Sequence, residues 1–252
     1  AASMPGRSGA DLGNLINESA LLAAKRGKDR VGRPEIGDAR DRILMGQLRG
    51  GIVLRGREKR AVAVHEAGHA LVAHLTPGAD PVEKVSIIPR GRSLGATQQL
   101  PEERYNYTEQ YMRARLRVMM GGRASEKVVL GSVSTGAADD LSQASRLARH
   151  MVGQWGMGKT FRSMAFENDD HQVFLGEQLS HQRSYSDRTA RDIDMEVKEI
   201  TDVSYADAEV LIERHRDRLD RLADALEEEE TLEGEQLGEL LGQHNREEDV
   251  PA

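Results

Sequence analysis

The sequence contains no cysteine, which removes both disulfide bridges and thiolate metal ligands from any account of it. A metal would have to be held by histidine and carboxylate, and the redox compartment stays open. Aromatic residues are scarce, at 4%. No apolar run approaches the roughly 20 residues needed to cross a bilayer, and no signal-peptide pattern is visible. Positive charge is not in surplus either: a formal net charge of −7 argues against nucleic acid as a main partner. What is present, 38% hydrophobic and 31% charged residues over 252 positions, is ordinary for a soluble, helix-rich globular chain. That length accommodates one large core, or one core with a small appendage.

Within this composition stands His65-Glu66-Ala67-Gly68-His69. Residues four apart share one helix face, so the two imidazoles can reach one metal ion. Glu66 turns away from the line joining them but stays near enough to act as general base on a water at that metal. This is the H-E-x-x-H pattern of zinc metalloproteases. A helix around it is well supported: residues 57–75 hold no proline, are rich in Ala, Val and Leu, and stop at Thr76-Pro77-Gly78. The alternative, a chance coincidence of residue types, fits such a segment poorly.

Two histidines leave zinc a protein ligand short. Val72 and Leu75 stand where a metzincin would continue with Gly and His, and His74, one residue out of register, is expected at the surface. A thermolysin-type acid is missing as well, because residues 85–100 contain neither Asp nor Glu. The best candidate is Asp140. Ser134-Thr135-Gly136 offers a helix start, and residues 137–152 predict a helix with Leu141, Ala144, Ala148, Met151 and Val152 inward. Asp140 shares the face of Ala144, Leu147 and Ala148, where a lone carboxylate needs a partner. Asp139 lies with Ser142, Gln143 and Arg146 on the wet side, where a helix-dipole role suffices. Glu126 is the alternative ligand, though support of a ligand or an ion pair suits it better.

Gly153 to Thr160 satisfies the phosphate-loop pattern G-x-x-x-x-G-K-[ST] letter for letter. That chemistry requires a strand before the loop and a helix after it. Here a helix precedes, and residues 161–166 alternate like a strand. The expectation is a helix-ending turn that packs Trp155, with no nucleotide.

Elsewhere the periodicity predicts two short helices between Gly9 and about Gly46. One carries the stripe Leu12, Leu15, Ile16, Leu22 and Ala23; the other starts at Pro34 and buries Ile36, Ala39 and Ile43. Gly50-Gly51 and the charged residues 55–60 suggest a linker. Val85 to Ile88, a turn over Gly91 to Gly95, and Ala96 to Leu100 form a small hairpin. Its strand could pair with an extended peptide beside the metal, or simply pack. A helix capped by Thr108 runs to Leu130. Residues 186–226 form a long amphipathic helix with Ile193, Val197, Ile200, Ser204, Ala208 and Leu211 inward. Glu227 to Glu230 is a solvated charge run, Leu237, Leu240 and Leu241 lie on a last short helix, and residues 243–252 are expected to be disordered.

With these residues in view, the chain resembles the FtsH family of membrane-anchored, ATP-dependent zinc proteases. The resemblance runs through Ser8-Gly9-Ala10-Asp11-Leu12 with Asn17-Glu18, His65 to His69, and Ile88-Pro89-Arg90-Gly91-Arg92 with Leu94-Gly95. It continues through Gly121-Gly122-Arg123, Ser134-Thr135-Gly136-Ala137 with Asp140-Leu141, Gln154-Trp155-Gly156-Met157, Phe174-Leu175-Gly176 and Tyr185-Ser186-Asp187. So many ordered matches make it specific. Asp139, where the family usually has Asn, and a shortened Gly131-Ser132-Val133 are departures that bear on loop shape more than on the ligand.

The resemblance implies a mainly α fold, with part of an AAA ATPase lid over residues 1–50 and a zinc peptidase domain with its hairpin over 51–242. It implies Zn²⁺ on His65, His69 and Asp140, with Glu66 as catalytic base and unfolded or membrane polypeptides as substrates. It further implies a homo-hexamer, a membrane anchor N-terminal to this segment, and ATP bound only in an ATPase core that this segment lacks. The corresponding location is the cytoplasmic face of a bacterial inner membrane, or an organellar counterpart.

Overall fold

The computed structural model describes residues 8–48, 51, 53–91, 93–101, 104–166 and 185–242. Phe174-Leu175-Gly176 and the expected disordered tail lie outside the described residues. Among those described, eight α-helices and one three-stranded antiparallel sheet give a mainly α fold.

The first two helices form a pair, α1 (Gly9–Lys25) and α2 (Arg33–Met45). Ser8 and Asp11 cap α1 reciprocally, the Ser8 hydroxyl accepting from the Asp11 amide and the Asp11 carboxylate from the Ser8 amide. Their small core is Leu15 and Ala39, flanked by Leu12, Leu22 and Ile43. Ile16 and Ile36, expected inside, are 55% and 38% exposed, because two short helices have only one mutual face to bury. The pair is fastened to the rest of the chain by charge. Lys84 Nζ donates to the buried Asp41 carboxylate at 2.8 Å, and Arg40 pairs with Glu83 at 2.7 Å.

The HExxH helix, α3 (Gly56–Leu75), is buried without a break from Ala63 to Ala73. A helix apolar on every side belongs at the centre of a bundle, and α3 packs there against α4 (Glu109–Leu130), α7 (Arg216–Glu229) and the sheet. Thr108 caps α4 as expected, accepting from the Tyr111 amide. Gly131, in the left-handed region at φ 70°, ends it. Helix α5 (Ala138–Gly153) and helix α6 (Asp187–Arg214) pack on α4 and on each other. All six stripe residues of α6 are buried.

The structure departs from these expectations in several places. The long C-terminal helix breaks at His215, whose backbone leaves helical geometry, so α7 can turn back to cover α3. The hairpin β1 (Val82–Ser86) and β2 (Ala96–Gln99) begins earlier than expected, with a bulge between Val82 and Lys84. It also gains a third strand, β3 (Thr231–Glu233), whose Leu232 pairs with Val85 and is fully buried. Residues 161–166 are not a strand. The last helix, α8 (Gly234–Leu241), buries Leu237 and Leu241. Glu227 and Glu230, expected to be merely solvated, bind Arg60 and Lys59 at the start of α3.

Candidate metal centre

The centre depends on how closely α3 and α4 approach. A Cβ on Gly68 would lie 2.5 Å from the Gly121 carbonyl oxygen, so the two backbones touch where neither residue has a side chain. Ser125, fully buried, donates to the Val64 carbonyl at 2.8 Å across the same contact. This crossing brings His65 and His69 against α4, while α5 delivers Asp140 from its first turn.

His65, His69 and Asp140 come together as a possible metal-binding group. His65 Nε2 lies 3.1 Å from His69 Nε2 and 3.2 Å from Asp140 Oδ2, and His69 Nε2 lies 3.4 Å from that oxygen. The other ring nitrogens are committed elsewhere. His69 Nδ1 is 2.7 Å from the Val118 carbonyl, which can only accept, so Nδ1 carries the hydrogen. His65 Nδ1 is 2.7 Å from Glu126 Oε1 and donates in the same way. Both Nε2 atoms are then bare in the neutral rings, and they face each other and a carboxylate. Three lone-pair donors converge with no proton donor among them, an arrangement that demands a cation.

Zinc fits the demand. Bonds of about 2.0–2.1 Å in a tetrahedron separate neighbouring ligand atoms by about 3.3–3.4 Å, close to the three separations found. Space for the ion comes from Gly122, where a Cβ would sit 2.5 Å from His65 Nε2 and 2.6 Å from His69 Nε2. When a proton takes the cation's place, His65 titrates near 10: burial opposes the charged ring, but hydrogen bonds to Asp140 and Glu126 outweigh it. Asp140 is held well below the ordinary carboxylate range by the two imidazoles, against its own burial.

Glu126 is 2% exposed and faces His65 Nδ1 rather than Nε2, so it orients that ring without joining the cluster. The Ser134 amide and hydroxyl donate to it at 2.6 and 3.0 Å, tying the loop before α5 to the ring. Asp139 is exposed on the wet side of α5. His74 is half-buried and away from the cluster. Glu66 is 6% exposed, with its carboxylate under the sheet. Burial pushes its pKa up, against the pull of His69, His65 and a hydrogen bond from Thr97. Thr97 and the Val118 carbonyl had no local signal in the sequence, and Gly95 and Ser134 appeared there only as a turn, a helix start and parts of the family resemblance, since each meets the centre only through tertiary contact. Gly122 appeared there only as part of the family resemblance.

The phosphate-loop lettering marks a helix-ending turn. The Lys159 and Thr160 amides donate to the Glu196 carboxylate, and a Cβ on Gly158 would lie 2.7 Å from it. Trp155 is 44% exposed against His150, and Met157 packs on the core in its place. No described helix is long and apolar enough to cross a membrane.

Comparison with known proteins accounts for most of the chain. It is 49% identical over 243 residues to the ATP-dependent zinc metalloprotease FtsH of Thermobaculum terrenum, covering 96% of this chain and 38% of that one. It is 45% identical over 242 residues to FtsH 2 of Salinibacter ruber, covering 96% and 35%. To the FtsH of Hahella chejuensis it is 47% identical over 242 residues, covering 96% and 39%. The chain thus spans less than two fifths of the length of these relatives. The model of peptidase family M41 matches residues 52–240, a span that contains His65, Glu66, His69 and Asp140, and the chain belongs to that family.

Proposed function

We propose that the chain is a zinc-dependent endopeptidase acting on polypeptides, with Zn²⁺ held by His65, His69 and Asp140 and with Glu66 as the base. The observation that carries this is the convergence of the Asp140 carboxylate with two imidazoles whose ring hydrogens are already spent on Glu126 and Val118. When bound there, zinc supplies Lewis acidity, acidifying water and polarising the scissile carbonyl. Glu66 takes the proton of the attacking water on its carboxylate as the new C–O bond forms. It then delivers that proton to the amine released when the C–N bond breaks. Its burial supports this role, because a carboxylate raised above its ordinary pKa is a better base. Glu126 and the Val118 carbonyl keep the two rings in the tautomer that offers Nε2.

The setting belongs to the same proposal. Residues 1–50 are the end of an AAA lid, 51–242 the peptidase domain and 243–252 a tail. The longer protein, like the ATP-dependent relatives, uses ATP hydrolysis in a separate ATPase core to feed unfolded or membrane polypeptides to the site. It works as a homo-hexamer anchored N-terminally at the cytoplasmic face of a bacterial inner membrane. Metal analysis with casein cleavage, with and without a chelator, tests the core of the reading. Equimolar zinc and chelator-sensitive, zinc-restored cleavage are expected. Cleavage indifferent to metal would overturn it.

A further inference from the structure

A base buried beneath a sheet must be aimed, since a carboxylate that can swing loses most of its advantage. Glu66 has one side-chain donor among the described residues, the hydroxyl of Thr97 in β2. Thr97 Oγ1 lies 2.9 Å from Glu66 Oε2 and 3.1 Å from the Glu66 backbone carbonyl. The single hydroxyl hydrogen is thus shared between two acceptors of the same residue, with the shorter contact to the carboxylate. Thr97 cannot drift: it pairs with Val85 of the central strand β1, and its branched Cβ restricts χ1. On the other side, Gly95 leaves the room the carboxylate occupies. A Cβ there would lie 2.7 Å from both Glu66 Cγ and Oε1. Strand β2 thus supplies a donor for one carboxylate oxygen, and Gly95 just before it a backbone wall for the other.

We propose that Thr97 is a positioning residue for the general base, acting through Glu66 and touching neither metal nor substrate; this rests on the reading of Glu66 as that base. The side chain must do two things, and only one of them is shared by its isostere. It fills space in the strand, which valine also does. It donates a hydrogen bond, which serine also does. Misplacing a reacting group by about 1 Å costs up to about a hundredfold, so loss of the donor should lower kcat by at least about tenfold.

The test uses the full chain, with Thr97→Val, Thr97→Ser, Glu66→Gln and the double variant Glu66→Gln/Thr97→Val, each assayed for zinc content, kcat and KM on a fluorogenic peptide. Thr97→Val should keep its zinc, hold KM within about twofold and lose at least about tenfold in kcat. Thr97→Ser should recover to within about threefold of the parent. In the Glu66→Gln background, adding Thr97→Val should change the residual rate by less than about twofold, because its target is already gone. A merely structural residue would lower the rate again there. Thr97→Ala carries the same comparison should the valine variant not fold. Full kcat in Thr97→Val, a serine variant as impaired as the valine one, or a further loss in the double variant overturns the inference while leaving Glu66 as base. Full activity in Glu66→Gln removes the base reading itself, and this inference with it.

Discussion

Gly122→Ala is the smallest change that should empty the metal centre. The added Cβ would stand 2.5 Å from His65 Nε2 and 2.6 Å from His69 Nε2, whereas ordinary contacts begin at 3.4 Å. The shortfall is therefore about 0.9 Å on each ring, against a tolerance of about 0.2 Å in metal–ligand distance. Neither side can yield easily. The rings are pinned at Nδ1 by Glu126 and by the Val118 carbonyl, each at 2.7 Å. The helices resist separation, because Ser125 donates to the Val64 carbonyl across their contact and moving apart would open voids in a close-packed core. Loss of an outer partner costs about 10–100-fold in metal affinity, and displacing two ligands at once should cost at least about a hundredfold. Stability should move little. Alanine favours a helix interior by about 1 kcal/mol over glycine, which offsets part of an overpacking cost of about 1–3 kcal/mol. Zinc affinity by competition with a chromophoric chelator, with thermal melting of the metal-free protein, reads the two effects apart. Gly153→Ala is the control, since nothing lies within 4 Å of a Cβ there. Parent-like affinity in Gly122→Ala, or metal loss accompanied by a collapse of the fold, would refute the reasoning.

Three further outcomes are expected. Glu66→Gln should retain zinc, since Glu66 is not among the three converging ligands, and should lower hydrolysis by at least about a hundredfold; loss of metal with activity would contradict its role. Asp140→Asn should weaken zinc binding by about tenfold or more, while Asp139→Asn, exposed and outside the cluster, should keep both metal and activity; zinc content after dialysis decides between them. Glu35 is held down to about 2 by hydrogen bonds from Lys28 and Arg26, against a usual 4.5. A depressed carboxyl stabilises the fold above its unfolded pKa and loses that contribution as pH falls through the folded one. Protection of the α1 and α2 amides, taken relative to their intrinsic exchange rate at each pH, should therefore fall between about pH 4.5 and 2, and in Glu35→Gln it should already be low at pH 7 with that step abolished.

What was legible in the sequence was what a single segment can encode. The HExxH spacing, the phase that separates Asp140 from Asp139, the cap at Thr108 and the inward stripe of α6 are all local periodicities. The structure brings His65, His69 and Asp140 within one cluster, as those phases require. What escaped depends on contacts between segments. Strand β3 is three residues long, too short for any alternation, and exists only because β1 offers an open edge to Leu232. The break at His215 interrupts a hydrophobic stripe that continues in phase on either side, so periodicity alone could not see it. Trp155 was expected to pack because large aromatics usually do, yet Met157 fills that place with a more adaptable chain. Thr97 and Gly122 look like unremarkable strand and helix residues until the helix crossing sets them beside Glu66 and the imidazoles.

Gly153 to Thr160 shows how far identical lettering can diverge when its flanks differ. Two successive amides, those of Lys159 and Thr160, do present their hydrogens to a pair of acceptor oxygens, as in a phosphate loop. Here, however, α5 ends before the turn, so no helix N-terminus lends its positive end to an incoming anion. The oxygens belong to Glu196 on α6, 5% exposed and tethered in place, so a free nucleotide would compete against a high effective concentration. Lys159, which would reach the phosphates in a true loop, pairs with Glu199 instead. The turn therefore fastens the end of α5 to α6, and both pack on α4. Helix α4 in turn carries the Val118 carbonyl and Glu126, which orient the two imidazoles. A sequence spelled like a nucleotide site thus braces two helices of the scaffold that carries the candidate centre.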